Sequence, residues 1–390
     1  MQNKTSTVLY RPALLLLVVL SLVPGCSQAP ASDSGIDNEF SALLSKHGVA
    51  TIGAGVIRNG ELVWSGYWGE QSPGVPADPD TMFNVGSITK TVTAEVVTRL
   101  AADGTISLDE TMSEYWIDPD LVEDPRHEEL TSRLALTHKT GFPNWRYMDP
   151  EFKLRFVTDP GTQFGYSGEG MDYVARFLEN KSGQSFPELV SKHVFGPMGI
   201  EDVSITREDW VIERLALPVD EEGKRHAPFC SSAAGDYCFD DGDWSAADEL
   251  TTTVDAYAAF MIAVMNGDGV NEAMQEERFL VGTSHADDAV LGCKLDDPAR
   301  CPNKQGYGLG WEIFEYDDAK IVSHGGSDWS ERAMAYFDPA TRDGVILFIN
   351  GPASTNVDAL IEGLRLLDPE SKIAEMYQGW MDAYRASQGN

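Results

Sequence analysis

Phe83-Asn84-Val85-Gly86-Ser87-Ile88-Thr89-Lys90 is the stretch of this 390-residue chain from which both fold and chemistry can be read. Ser87 is the only serine followed by a lysine three positions later. Residues three apart share one face of a helix, so the spacing sets the Lys90 amine beside the Ser87 hydroxyl. A serine hydroxyl is a poor nucleophile until a base takes its proton. Lysine serves as that base when burial or a nearby cation lowers its pKa toward neutrality. Ser87 also opens the helix, where free N–H groups and the macrodipole favour developing negative charge. A serine capping a helix, with a solvated lysine behind it, would give the same spacing, so the surroundings have to decide.

Working outward, Ile88, Val92, Val96 and Leu100 recur every four residues, which predicts a helix over Ser87–Ala102 stopped by Gly104. Upstream, Ile36, Phe40, Leu43 and Leu44 predict a short amphipathic helix over 36–47. Thr51 to Trp68 alternates and carries Asn59-Gly60, a strong hairpin signal. Residues 105–305 read as mostly helix and loop, with one clear helix carrying Tyr257, Phe260, Met261 and Val264 before Gly267. Three β-rich runs follow, Gly308–Glu315, Glu331–Phe337 and Val345–Asn350. A helix bearing Val357, Leu360, Ile361 and Leu364 comes next, then an amphipathic tail with Ile373, Tyr377, Trp380 and Tyr384. Strands therefore come from both ends and helices from the middle. The expected fold is α/β (α+β): an antiparallel sheet built from both termini and covered by helices, with a large, mostly helical second lobe over about 105–305.

Composition narrows the partners. Hydrophobic residues make up 42% and charged residues 23%, which suits a folded soluble domain and excludes wholesale disorder. With 29 basic against 62 acidic residues and a formal charge of -33, the chain repels phosphate backbones, and no basic patch offsets this. A nucleic-acid partner is not expected.

The N-terminus reads as an address. Lys4 and Arg11 precede the apolar run Ala13 to Val23, which is too short to span a bilayer. It ends Leu22-Val23-Pro24-Gly25-Cys26, which resembles a bacterial lipobox, with Pro24 unusual inside it. The expected divisions are a lipoprotein signal peptide over 1–25, a tether over 26–36, a main domain over 37–367 and a tail helix over 368–390. Lipidation at Cys26 would make the membrane a partner through an anchor only, in the cell envelope, and Ser27 resembles an outer-membrane sorting signal. With Cys26 set aside, Cys230, Cys238, Cys293 and Cys301 remain, in two pairs that each enclose seven residues. Export places them in an oxidising compartment. Three pairings are open; the local one, Cys230–Cys238 and Cys293–Cys301, is expected. No histidine lies at ligand spacing beside them, so neither a metal nor any other cofactor is expected.

The stretch Phe83–Lys90 resembles the nucleophile helix of the serine β-lactamase and penicillin-binding-protein family, nearest its class C and esterase-like branches. Further motifs follow in that family's order. Leu134-Ala135-Leu136-Thr137-His138-Lys139-Thr140-Gly141-Phe142-Pro143 resembles L-L-T-H-T-S-G-L-P. Gly161-Thr162-Gln163-Phe164-Gly165-Tyr166-Ser167-Gly168 resembles G-x-x-F-x-Y-S-N, and Phe195-Gly196-Pro197-Met198-Gly199 resembles F-x-P-L-G-M. Ser323-His324-Gly325-Gly326-Ser327 stands where the family has K-T-G or H-x-G, on the strand beside the nucleophile.

The resemblance implies that Ser87 attacks a carbonyl and forms an acyl-enzyme, with Lys90 and Tyr166 sharing proton transfer. It implies an oxyanion hole from the backbone N–H groups of Ser87 and Ser327. Gly325 and Gly326 would let a substrate approach the strand backbone. His324 would donate to a substrate carboxylate or tune the Tyr166–Lys90 network, and His138 would brace a loop. Two departures stand out. Gly168 replaces the asparagine whose amide holds an acylamino side chain. His324-Gly325-Gly326 replaces K-T-G, removing the ammonium and hydroxyl that grip a carboxylate. Glu169 is expected as a solvated loop carboxylate. The reading is a serine hydrolase of a small ester or an amide/peptide substrate. A D-Ala-D-Ala carboxypeptidase, a true β-lactamase and a non-turning-over penicillin-binding sensor or scaffold are the alternatives, and the sequence leaves oligomeric state open.

Overall fold

The computed structural model describes residues 34–231 and 237–389. The segment with Lys4, Arg11 and Cys26 lies outside them. Helix α1 (Ser34–His47) leads into strands β1 (Thr51–Arg58) and β2 (Glu61–Ser72). Asn59 and Gly60 both take positive φ between these strands, as a tight hairpin requires. Helix α2 spans Thr89–Ala102, α3 Gly168–Ser182 and α4 Val254–Asn266. Strands β3 (Lys304–Tyr307), β4 (Glu312–Glu315), β5 (Lys320–Ser327), β6 (Glu331–Asp338) and β7 (Asp343–Asn350) follow. Helices α5 (Asn356–Leu367) and α6 (Lys372–Ser387) close the described chain.

These strands form one antiparallel sheet in the order β2-β1-β7-β6-β5-β4-β3, with two-residue strands at each edge. The expected union of the two ends is the β1–β7 pair, where Thr51 faces Asn350 and Ile57 faces Gly344. Period-two alternation explains the two cores. On β7, Val345, Leu347 and Ile349 pack with Phe40, Leu360, Leu364 and Met376 under α1, α5 and α6. Ile346 and Phe348 join the opposite core with Val92, Tyr257 and Phe260 of α2 and α4.

Two sequence expectations are corrected, and one strand escaped the pattern. The run Gly308–Glu315 is not one strand: it starts in the turn between β3 and β4, where Gly310 takes φ +76° and lies against Ala94. Strand β5 was legible only through its resemblance to the family motif, because Lys320–Ser327 has two glycines and weak alternation. Helix α2 begins at Thr89, and Ser87 and Ile88 form the turn that enters it. The Lys90 N–H donates to the Ser87 carbonyl at 3.1 Å, so the three-residue spacing still brings the two side chains together.

Candidate active site

The floor of the site is the turn into α2. Lys90 is fully buried, and its Nζ donates to Ser87 Oγ at 2.9 Å and to the Ala247 carbonyl at 2.8 Å. The second bond holds Lys90 Nζ in place beside Ser87, because the Ala247 carbonyl can only accept. Lys90 Nζ also lies 5.0 Å from the Tyr166 ring centroid and 5.8 Å from that of Trp145. Ser87, Tyr166, His324, Gly325, Gly326 and Ser327 all line one cleft of about 560 Å³.

Strand β5 forms one wall. Strand β4 pairs only with its first half, from Ser323 to Lys320, which leaves an open edge from His324 onward. The two glycines are explained by the protein itself. A Cβ at Gly326 would sit 1.8 Å from the Val85 carbonyl oxygen, and one at Gly325 would sit 2.6 Å from Tyr377 Oη. The close approach expected of a substrate is already made here by Val85 and Tyr377. It also seats Ser327 against the nucleophile turn, since a Cβ on Gly86 would lie 3.0 Å from Ser327 N.

The histidines are neutral supports. His324 Nδ1 lies 2.7 Å from the Gly325 carbonyl, which can only accept, so the ring proton is on Nδ1. Its Nε2 is buried without a partner. Burial, and next the Lys90 charge, push the His324 pKa down to about 3. Of its two expected roles, donation to a substrate carboxylate is therefore corrected: its one proton is committed to Gly325. His138 Nδ1 accepts from the Ser167 N–H at 3.2 Å, and its ring packs on Tyr166 at 4.4 Å between centroids. Burial, then Lys90, hold His138 well below the usual imidazole range. It braces the loop carrying Tyr166.

The expectation for Glu169 is also corrected. It is buried rather than solvated, because Arg146 captures it: Nε donates to Oε2 at 2.9 Å and the Arg146 N–H to Oε1 at 2.8 Å. Position 168 is also occupied rather than vacant. A Cβ there would lie 2.5 Å from the Trp145 indole. Asn144 Oδ1 accepts from the Gly168 N–H at 2.9 Å, and Asn144 lines the cleft. Behind Lys90, burial raises Asp172 to about 7 and also raises Asp248, against the pull of the Lys90 charge.

The cysteines pair locally, Cys230 with Cys238 and Cys293 with Cys301. The second bridge closes residues 294–300, directly after the segment that lines the cleft with Asp288, Val290 and Leu291. Helix α6 docks on that loop, with Trp380 Nε1 donating to the Gly292 carbonyl at 3.0 Å and Arg300 paired with Glu375. Sequence reasoning missed Asn144, Trp145, Arg332 and Tyr377. Tyr377 sat in an ordinary apolar stripe, and the other three carried no signal beyond lying near motifs.

The sequence model of the beta-lactamase family matches residues 36–367. Among characterised relatives, a D-alanyl-D-alanine-carboxypeptidase/endopeptidase, AmpH, of Escherichia coli (strain K12) is 27% identical over 191 residues, covering 42% of this chain and 49% of that protein. A lovastatin esterase of Penicillium rubens is 30% identical over 171 residues, 34% of this chain and 43% of that protein. The chain thus spans about half the length of these relatives. Among solved structures, the octameric penicillin-binding protein homologue from Pyrococcus abyssi superposes with a TM-score of 0.67 at 22% identity, over 88% of this chain and 78% of that one.

Proposed function

This chain belongs to the beta-lactamase family, and from that premise we propose that it is a serine hydrolase working through an acyl-enzyme on an ester or amide/peptide bond. The observation that carries the reading is the buried Lys90 Nζ, 2.9 Å from Ser87 Oγ at the floor of an open cleft. Lys90 takes the Ser87 proton as Oγ attacks the substrate carbonyl. The carbonyl oxygen becomes an anion between the N–H groups of Ser87 and Ser327, where each well-placed donor lowers the barrier by about 3–4 kcal/mol. Protonation of the leaving group returns the amine to its basic form, and water then releases the acyl group. Tyr166 lies across the Lys90 ammonium and steadies that charge during the transfer.

Trp145 over Gly168, and Tyr377 over Gly325, close the spaces from which a β-lactam would be gripped, which favours an ester or peptide over such a drug. A panel of p-nitrophenyl esters, acyl-D-Ala-D-Ala peptides and nitrocefin, offered to wild type and Ser87→Ala, tests this. Hydrolysis of an ester or peptide that vanishes in S87A is expected. Dominant nitrocefin turnover, or no turnover by any substrate, contradicts it.

Export with lipid attachment at Cys26, facing the periplasm, completes the proposal and accords with the local cysteine pairs. Radiolabelled palmitate should enter the wild type and not Cys26→Ser.

A further inference from the structure

The cleft wall carries more aromatic rings than acyl transfer requires, and a carboxylate stands among them. Phe164, Tyr307, Tyr377 and Trp380 line the same cleft as Ser87, and so does Glu312. Phe164 and Tyr307 stack with centroids 5.9 Å apart. Tyr377 and Trp380 meet edge to face at 5.0 Å. This second pair comes from α6, beyond residue 367, where the family match ends. Glu312 ties the two pairs together. It is the cross-strand partner of Tyr307. Burial, and next the Glu312 charge, raise the phenols of both Tyr307 and Tyr377, so both rings stay neutral beside the carboxylate.

The protein does not offset the Glu312 charge. No lysine or arginine among the described residues pairs with it. Its Oε1 lies 3.0 Å from His285 Nε2 but out of line for a hydrogen bond, and both atoms are buried with no other partner. Gln305 Nε2 can only donate, and it lies 3.2 Å from His285 Nδ1, so that nitrogen accepts and the imidazole is neutral. The side chain of Glu312 keeps 10% of its exposure, away from Oε1, where it lines the cleft. A buried carboxylate left without a cation is costly in a fold that pairs Glu95 with Arg278 and Glu169 with Arg146.

The surroundings suit a cation and not an anion. His324 has its one ring proton committed to the Gly325 carbonyl, and Tyr377 fills the space over Gly325. Asp288 adds a second carboxylate to the cleft wall, its Oδ1 accepting from the N–H groups of Val290 and Leu291. Arg332 is the only lysine or arginine among the described residues lining the cleft, and register keeps it apart. Glu312 pairs with Ser323 and Arg332 with Ser327, four residues further along β5. At the usual rise per residue that is about 13 Å, beyond the screening length of about 8 Å in physiological salt. The leaving group takes its proton on the Lys90–Tyr166 side, and the Tyr166 ring lies 5.9 Å from that of Tyr307. The departing half of the substrate therefore points toward these rings.

We propose that Glu312, with the rings of Tyr307, Tyr377 and Trp380, receives an alkylammonium group on the departing half of the substrate. This rests on the hydrolase reading above and names its substrate class: an ester or amide whose leaving group is cationic. The ring faces attract a positive charge, and the carboxylate supplies the counter-ion. The formal charge of -33 draws such cations toward the cleft.

The test uses the full chain and two esters with one acyl group, phenylacetylcholine and 3,3-dimethylbutyl phenylacetate. Their leaving groups have the same shape and differ in charge, and both give the same acyl-enzyme. The ratio of their kcat/KM values, each divided by the rate of hydrolysis by hydroxide, reads recognition of the ammonium alone. Wild type should favour the choline ester by about tenfold or more. Glu312→Gln should lower the ratio to about threefold or less, Glu312→Asp should give an intermediate value, and Tyr377→Leu should lower it about threefold. Tetramethylammonium chloride, titrated against matched sodium chloride, reads the site without turnover. Saturable binding to wild type and S87A, at least about tenfold weaker in E312Q, is expected. A ratio near one in wild type, no saturable binding to wild type, or a ratio unchanged in both E312Q and Y377L overturns the ammonium site. Failure of wild type to hydrolyse either ester, or equal hydrolysis by S87A, while tetramethylammonium still binds, overturns the hydrolase reading instead.

Discussion

Replacing Gly326 with alanine should pull the oxyanion strand away from the nucleophile while leaving every reacting side chain in place. The new Cβ would be built 1.8 Å from the Val85 carbonyl oxygen and 2.9 Å from its carbon. Both neighbours are backbone, so no side chain can rotate away. Carbon–oxygen contact needs roughly 3 Å or more, and β5 must therefore retreat from the turn before Ser87 by about 1 Å. A displacement of that size in a reacting geometry costs about a hundredfold, and losing one oxyanion donor costs about a hundred- to a thousandfold. G326A should thus lower kcat/KM for a p-nitrophenyl ester by at least about a hundredfold, mainly in kcat, with an overpacking penalty of about 1–3 kcal/mol in stability. Gly325→Ala is the internal comparison. Its tight contacts are Tyr377 Oη at 2.6 Å and Met334 Cε at 3.2 Å, both the tips of side chains that can swing aside. Its loss should stay under about tenfold. A folded G326A variant that keeps a rate within about threefold of wild type would refute the idea that Ser327 is aligned by this contact.

Three further outcomes follow from the packing and electrostatics. The His324 pKa, about 3, is below its unfolded value, so as pH falls under about 6.5 the unfolded chain takes up a proton that the native site refuses. The residue therefore costs stability on acidification, by up to about 1.4 kcal/mol per pH unit, and His324→Gln should gain on wild type in urea midpoints between pH 7 and pH 5; parallel curves would contradict this. Glu169→Ala should destabilise by about 1–3 kcal/mol, below the range for a fully buried pair because Arg146 is 37% exposed, as thermal unfolding can check. Removing the Cys293–Cys301 bridge by paired serine substitution should cost about 2–3 kcal/mol and raise KM more than it lowers kcat, because the bridge anchors the segment just before it, which carries the cleft wall at 288–291 and the Gly292 seat of α6.

Much of the fold was legible because its elements carry clean periodicity. The Asn59-Gly60 hairpin, the four-residue spacing of Ile88, Val92, Val96 and Leu100, and the alternating end strands each read directly. Strand β5 escaped the pattern because Gly325 and Gly326 answer to Val85 and Tyr377, contacts made across the fold. The Ser87–Lys90 pair was legible because its geometry is local. Arg332 and Tyr377 were not, since they meet only when β6 and a tail helix converge on one sheet face. Glu169 was misread for the same reason: its partner lies 23 residues away, and sequence alone does not show that Arg146 closes over it.

The central claim is that Ser87 carries the acyl group, and intact-mass and peptide mapping after exposure to a fluorophosphonate tests it most directly. A single adduct on the peptide containing Ser87 in wild type, with none in S87A and much slower labelling in Lys90→Ala, is the predicted result. An adduct on a different residue, or ester hydrolysis that persists in S87A, would contradict it.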